Sequence, residues 1–393
     1  MGKFSDRLAR LQPGLENVTR DGTTQVETPA HTLRPPTQGS LVELRDWHLV
    51  PTPYGTAHVH REYIPYGDSD ITTDLANRLG DKRLTGFTPE NALYIDIEAT
   101  GLSHGAGTLA FLIGCAYLEH HGSQRRIILE QLFVDTPENE MPVLAYFLKL
   151  LYRFDYLVSF NGKSYDLSVL QNRLVLTRLI SSQEREIKLR PHLDLLHSCR
   201  LAYVGAFENT KLQTLERMVL KLDPSERQDD VPGSLVPSLY FHFLRTGYAS
   251  VLDVVLRHNR TDVLSMVGLT NHLMMLVEEP PCQLPPLVAY NLGRAALRFK
   301  QNHRALQFLE RAVSDELLPI DVYDKASRML VTAARRAGHY ALAARLTEDS
   351  ALALQQSDPH ECARLLRLAE RYRRKAPVVT RERTPVDIRR LNP

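Results

Sequence analysis

The sequence predicts an α/β domain, a mixed five-stranded sheet with flanking helices, followed by a smaller all-α domain. Three observations carry that reading. Apolar runs of strand length, Asn91 to Glu98, Thr108 to Leu118 and Arg125 to Val134, precede segments of helical period that continue to residue 276. A Pro-rich stretch at 277–287 then breaks any helix and reads as a linker. Beyond it, Ala and Leu recur at helical spacing to about Lys375. A chain of 393 residues, 43% hydrophobic and 24% charged, has room for two or three such domains.

Composition also narrows the function. No apolar run reaches the length of a membrane span and no charged-then-apolar leader opens the chain, so the expectation is a cytoplasmic protein without a membrane partner. Cys115, Cys199, Cys282 and Cys362 lie far apart and form no C-x-x-C pair, which indicates neither zinc nor a disulfide framework. With a net charge of only +2, any surface for nucleic acid is local.

Residues 1–40 mix Pro, Thr, Gly, Gln and charge and read as a disordered segment. Residues 41–90 form an N-terminal extension of opaque role, in which Ser40 to Leu49 and Thr56 to Ile64 alternate like an appended hairpin. The three strands that follow are joined by short links, with His121-Gly122 as one turn, so they pair antiparallel. Thr136-Pro137-Glu138 opens a helix, since Thr caps, Pro suits the first helical position and Glu favours the positive end. Tyr156 to Phe160 is a buried parallel strand stopped by Asn161-Gly162, and a helix runs from about Ser164 to Thr177. Leu193 to Leu196 supplies a fifth strand, and helices lie near Leu212 to Leu220, Leu235 to Leu244 and Val251 to Leu276.

The candidate chemistry sits on these elements. Strand alternation sends Asp96 and Glu98 to one face, where two carboxylates repel unless a hard divalent cation lies between them. Taken alone, the pair reads more simply as two solvated acids on an edge strand. Asp166 stands at the start of the helix after the fourth strand, where an isolated acid usually compensates the helix dipole. His258 and Asp262 are four residues apart, on the same face of the long helix, and Met266 and Leu269 extend that face inward. A carboxylate among apolar side chains needs a partner.

Together, Asp96-x-Glu98 with Thr100-Gly101-Leu102, Asn161-x-x-x-Tyr165-Asp166 and His258-x-x-x-Asp262 resemble the three motifs of DEDD-type 3′–5′ exonucleases of the DnaQ-like group. The order of elements is that of a ribonuclease-H-like fold. His192-Leu193-Asp194-Leu195-Leu196, the Asp230-Val231-Pro232-Gly233 turn and the helical tail are similar to bacterial YprB-like proteins. The resemblance covers about 90–275 and implies phosphodiester hydrolysis at a DNA or RNA 3′ end with two Mg²⁺ or Mn²⁺ ions. It assigns Asp96 as bridging ligand, Glu98 and Asp262 to the nucleophile-side cation, and Asp166 to the second. It also implies substrate contacts at Thr100, Gly101, Leu102, Asn161 and Lys163. The chain departs from the pattern at two places: His258 stands at the spacing where one subgroup has Tyr, with Arg257 at the usual His spacing, and Ala99 replaces the common Thr. His258 is expected beside the attacking water, either orienting it or, if cations leave its pKa unshifted or lower, taking its proton.

Two other functions remain open on sequence: a noncatalytic scaffold that binds nucleic-acid ends, and an endonuclease of the same fold. In residues 288–375, Leu292-Gly293, Ala296, Ala305, Leu309 and Ala312 match a tetratricopeptide (TPR) helix pair, which would recruit a protein, although a plain helical hairpin fits as well. The basic tail, 376–393, either adds salt-sensitive affinity for nucleic acid or is simply solvated.

Overall fold

The computed structural model describes residues 47–67, 75–79, 81–101, 107–122, 124–181, 190–228 and 230–376, without the side chains of residues 76 and 77. The expectations for residues 1–40, for Leu102 and for all but the first residue of the basic tail lie outside the described residues. The chain divides into two compact units, Met1–Asn291 and Leu292–Pro393.

A seven-stranded mixed sheet forms the centre of the first unit, in the order β1-β2-β5-β4-β3-β6-β7. The strands are β1 His48–Thr52, β2 Gly55–Tyr66, β3 Ala92–Ala99, β4 Ala110–His121, β5 Gln124–Phe133, β6 Tyr156–Ser159 and β7 His192–Asp194. The expectation of five strands falls short because the N-terminal hairpin β1–β2 joins the sheet itself. Its second strand pairs antiparallel with β5 from His58↔Phe133 to Tyr66↔Arg125. Trp47 fastens the hairpin through its ring, 5.6 Å from that of Phe133. Alternation in residues 41–64 revealed the hairpin, but a 2-residue period cannot name the partner strand.

Strand β3 holds the central position, antiparallel to β4 and parallel to β6. Its residues Leu93, Tyr94 and Ile95 are fully buried, as is Phe111 to Ile113 of β4, and these runs build the core with β5. Among the described residues, the helices of this unit are α1 Leu75–Leu79, α2 Glu140–Leu151, α3 Asp166–Leu176, α4 Leu195–Tyr203, α5 Leu212–Met218, α6 Val236–Thr246 and α7 Asp253–Glu278. The fifth strand of the sequence reading is shorter than expected and starts earlier. Asp194 ends it because its carboxylate accepts from the Leu196 N–H and so caps α4. Helix α7 lies across β3, β4 and β5 and presents Asn259, Val263, Met266 and Leu269 inward, all essentially buried.

The Pro-rich stretch is helical at both ends. Val277 and Glu278 complete α7, Pro281–Gln283 makes a single 3₁₀ turn, and α8 Pro286–Arg298 begins at the second Pro of its pair. In the second unit, helices α9 Asn302–Val313, α10 Ile320–Arg336, α11 Tyr340–Ala353 and α12 Pro359–Arg373 pack each against the next. Ala296, Ala305, Leu309 and Ala312 are buried there. Gly293 admits the close crossing of α8 and α9, since a Cβ at that position would lie 2.7 Å from Leu309 Cγ. Among the described residues, no helix is long and apolar enough to cross a membrane.

Candidate active site

The site forms where β3 and β6 run parallel and both end, the place in an open α/β sheet where a cleft opens. Asp96 and Glu98 project from one face of β3, each partly exposed between buried neighbours. On leaving β6, the chain turns through Asn161 in the left-handed region (φ 65) and Gly162, then enters α3 at Asp166. Gly162 is required by crowding, because a Cβ there would strike Ser159 Oγ and come within 3.0 Å of Asp166 Oδ2. Asp262 and His258 reach the same place from α7.

The four acids feel one another. Burial pushes the Asp96 carboxyl far above its usual range, and the charges of Asp262, Glu98 and Asp166 add to that. Glu98 is pushed up to about 8, mainly by burial, with Asp262, Asp166 and Asp230 opposing its ionisation while His258 favours it. Asp166 is pushed up to about 7 by burial and by Asp194 and Asp262. Strand β3 and helices α3 and α7 therefore bring together the acids that the sequence had placed at intervals.

His258 is held by Asp230, from the turn that the sequence singled out without giving this acid a role. Its Nδ1 lies 2.5 Å from Asp230 Oδ1, while Nε2 faces Asp262 Oδ2 at 3.6 Å and Glu98 Oε1 at 3.9 Å. Burial lowers its basicity, but the Asp230 hydrogen bond and the charges of Asp262, Glu98 and Asp230 outweigh that and raise the pKa to about 9. Without cations, His258 therefore carries both ring protons at neutral pH. Arg257, at the alternative spacing, lies exposed on the outer side of α7.

The proposed substrate contacts divide. Thr100 is bound to the start of β4, giving its N–H to the Leu109 carbonyl and accepting the Leu109 N–H on its hydroxyl, each at 2.9 Å. The Gly101 carbonyl accepts from the Tyr165 hydroxyl. The Asn161 carboxamide oxygen takes the Ser164 hydroxyl at 3.0 Å, so that oxygen serves the turn. Lys163 lies on the same loop. It is half-buried beside Arg83, and burial together with that like charge lowers its pKa.

Several positioning groups were missed. The Asp194 carboxylate receives the Asn161 N–H at 2.9 Å and the Lys163 N–H at 3.2 Å, which fixes the loop leading to Asp166. Ser159 Oγ accepts the Gly162 N–H and meets His192 Nε2 at 2.8 Å beneath the same loop. Asn259, fully buried, donates its amide to Asp96 Oδ2 at 2.8 Å, and its oxygen accepts from Gln131 Nε2 at 3.0 Å. Gln131 also donates to the Leu256 carbonyl at 2.8 Å, locking α7 to β5. The one sequence signal for this relay was Gly114, a glycine inside an apolar strand, which marks close approach. A Cβ there would fall on the Asn259 carboxamide, 2.7 Å from Nδ2. Gly114→Ala should therefore displace Asn259, cost about 1–3 kcal/mol of stability and lower the activity proposed below, checked by urea denaturation and initial rates.

All these are hard oxygen donors and one imidazole, the ligand chemistry of Mg²⁺ or Mn²⁺. Among the described residues, no three of them are already gathered at coordination distance. Burial first, and the charges of the neighbouring acids second, raise these carboxyl pKa values, and a cation between them would offset both, so the donor set fits such an ion.

The chain is 32% identical over 231 residues to "Uncharacterized protein YprB" of Bacillus subtilis (strain 168), an alignment covering 58% of this chain and 53% of that protein. The chain thus spans about half the length of the curated relative it matches. Residues 93–274 match the family model RNase_H_2, of the RNase_H superfamily, a span that includes every acid of the site from Asp96 to Asp262.

Proposed function

We propose that this chain is a metal-dependent nuclease that hydrolyses phosphodiester bonds, most specifically a DEDD-type 3′–5′ exonuclease on single-stranded DNA or RNA. The superfamily match supports a nuclease-type function in general, and such nucleases use divalent ions. The observation that supports the finer reading is the convergence of Asp96, Glu98, Asp166 and Asp262: the Asp262 charge opposes the ionisation of the other three, and that of Asp166 opposes Asp96 and Glu98.

Asp96, Glu98, Asp166 and Asp262 would hold the ions. When bound, Mg²⁺ or Mn²⁺ would supply countercharge, an acidified water and stabilisation of the leaving oxygen. Asn259 keeps one oxygen of Asp96 engaged, which orients the other. Asp230 accepts the Nδ1 proton of His258 and so aims Nε2 at the space between Glu98 and Asp262. Held protonated chiefly by the Asp230 hydrogen bond, Nε2 would donate to a water in that space and orient it; once it gives up that proton, it would accept one from the water. Lys163, half-buried beside the Asn161 loop, would meet a backbone phosphate. We read the helical unit as TPR-like and as a surface for a protein partner.

One observation favours a second reading, a noncatalytic scaffold for nucleic-acid ends: Arg227 already meets Asp262 and offsets its charge. End-labelled oligonucleotides separate the two. With Mn²⁺, stepwise loss of 3′ nucleotides from single strands is expected, and a blocked 3′ end should stop it. Retention of full-length substrate, with binding intact, would favour the scaffold; internal cuts would make it an endonuclease.

A further inference from the structure

Arg227 ends the 3₁₀ turn Pro224–Arg227 and reaches the acids from a side that no motif predicted. Its fork rests on Glu216 of α5, with Nε 2.9 Å from Oε2 and Nη2 2.5 Å from Oε1. Nη2 also meets Asp262 Oδ1, and Nη1 lies 3.1 Å from Asp230 Oδ2. Both partners of the fork are enclosed, Arg227 at 14% and Glu216 at 3% side-chain exposure, so this is a built contact and not a surface pair.

Asp262 is consequently engaged at both oxygens by positive groups, Oδ1 by the guanidinium and Oδ2 by the His258 ring. Any ion that takes Asp262 as a ligand must share it with Arg227 or turn Arg227 away. The guanidinium has a fallback, because Glu216 and Asp230 keep it paired when it leaves Asp262. It is also carried by a loop, unlike His258 and Asp262 on their helix.

We infer that Arg227 is a resident countercharge that competes with divalent cations for Asp262, so that the site fills only when cation concentration is high enough to displace the guanidinium. The inference rests on the reading of Asp262 as a cation ligand. Arg227 is then a positioning residue: it holds the acids together while the site awaits its ions, and it sets the concentration at which they enter.

The test is calorimetric titration of Mn²⁺ into the full chain at fixed pH. Removing Arg227 alone would strand the buried Glu216 carboxylate, so the informative variant is the double change Glu216→Gln with Arg227→Gln, accompanied by Arg227→Lys. We expect the double variant to bind Mn²⁺ about tenfold tighter and Arg227→Lys to bind it severalfold tighter. A merely structural role would move affinity the other way, so unchanged or weaker binding in the double variant, with its melting transition intact, overturns the inference. If the double variant does not fold, Arg227→Lys decides: its shorter, more mobile ammonium should release Asp262 and tighten Mn²⁺ severalfold when Glu216 is kept, and weaker binding overturns the inference. Absence of Mn²⁺ binding by wild type and variants alike removes the cation reading of the site and this inference with it, whereas equal binding by all removes this inference alone.

Discussion

Asp96→Asn should lower the rate of 3′ nucleotide release by about a thousandfold or more and, in the same protein, raise the melting temperature measured with chelator. Both effects have one cause. Asp96 is the acid whose charge is opposed by burial and by Asp262, Glu98 and Asp166 together, so ionising it in the cation-free chain is costly. The asparagine keeps the shape and can still accept from Asn259, but it brings no charge to repel the others. Relief of that repulsion should amount to about 1–2 kcal/mol, or roughly 2–6 °C for a domain of this size. The same missing charge removes a donor that the ions need. An unchanged rate in Asp96→Asn would end the proposed chemistry, and an unchanged or lower melting temperature would show that the acids do not strain the fold.

The second large effect is a fall in cation-free stability as pH rises. Glu98 moves from an ordinary 4.5 to about 8, and Asp166 from 3.8 to about 7, so the folded chain keeps protons that the unfolded chain releases. Their contribution is complete below pH 4 and is lost as pH rises through 7 to 8. His258 has the same sign: its contribution is complete below 6.5 and is lost through about 9. Asp96 also moves in this direction. Melting temperature with chelator should therefore drop between pH 5 and pH 9, by about 5–10 °C. Added Mn²⁺ should restore most at the alkaline end, because cations bind the deprotonated acids. A melting temperature that is flat or rising across that range would contradict the shared burial of these groups.

Much of this site could be read from residue spacing. Asp96-x-Glu98 needs only strand alternation to share a face, and His258-x-x-x-Asp262 needs only helical periodicity. Asp166 was legible because a parallel strand and a Gly turn announce where the next helix starts. The supporting groups were not legible for a physical reason: each acts through a contact between segments distant in the chain. Arg227 meets Asp262 across 35 positions and Asn259 meets Asp96 across 163. No local period encodes such a pair. His258 shows the limit most clearly, since its place on α7 was evident but its pKa depends on Asp230, 28 residues away. The sheet gives the same lesson, as alternation disclosed the hairpin and could not say that β5 would receive it.

The β1–β2 hairpin carries a practical warning for anyone trimming this protein. The family match begins at residue 93, and a shortened chain starting there would strip β5 of the partner it holds from His58 to Tyr66. Its backbone amides and carbonyls would be left raw along one side, an invitation to self-association. The cut would also take away Glu62, whose carboxylate grips Arg260 at 2.7 Å, on the helix segment between His258 and Asp262. Low solubility or weak turnover in such a fragment would report on the missing hairpin and say nothing against the acids.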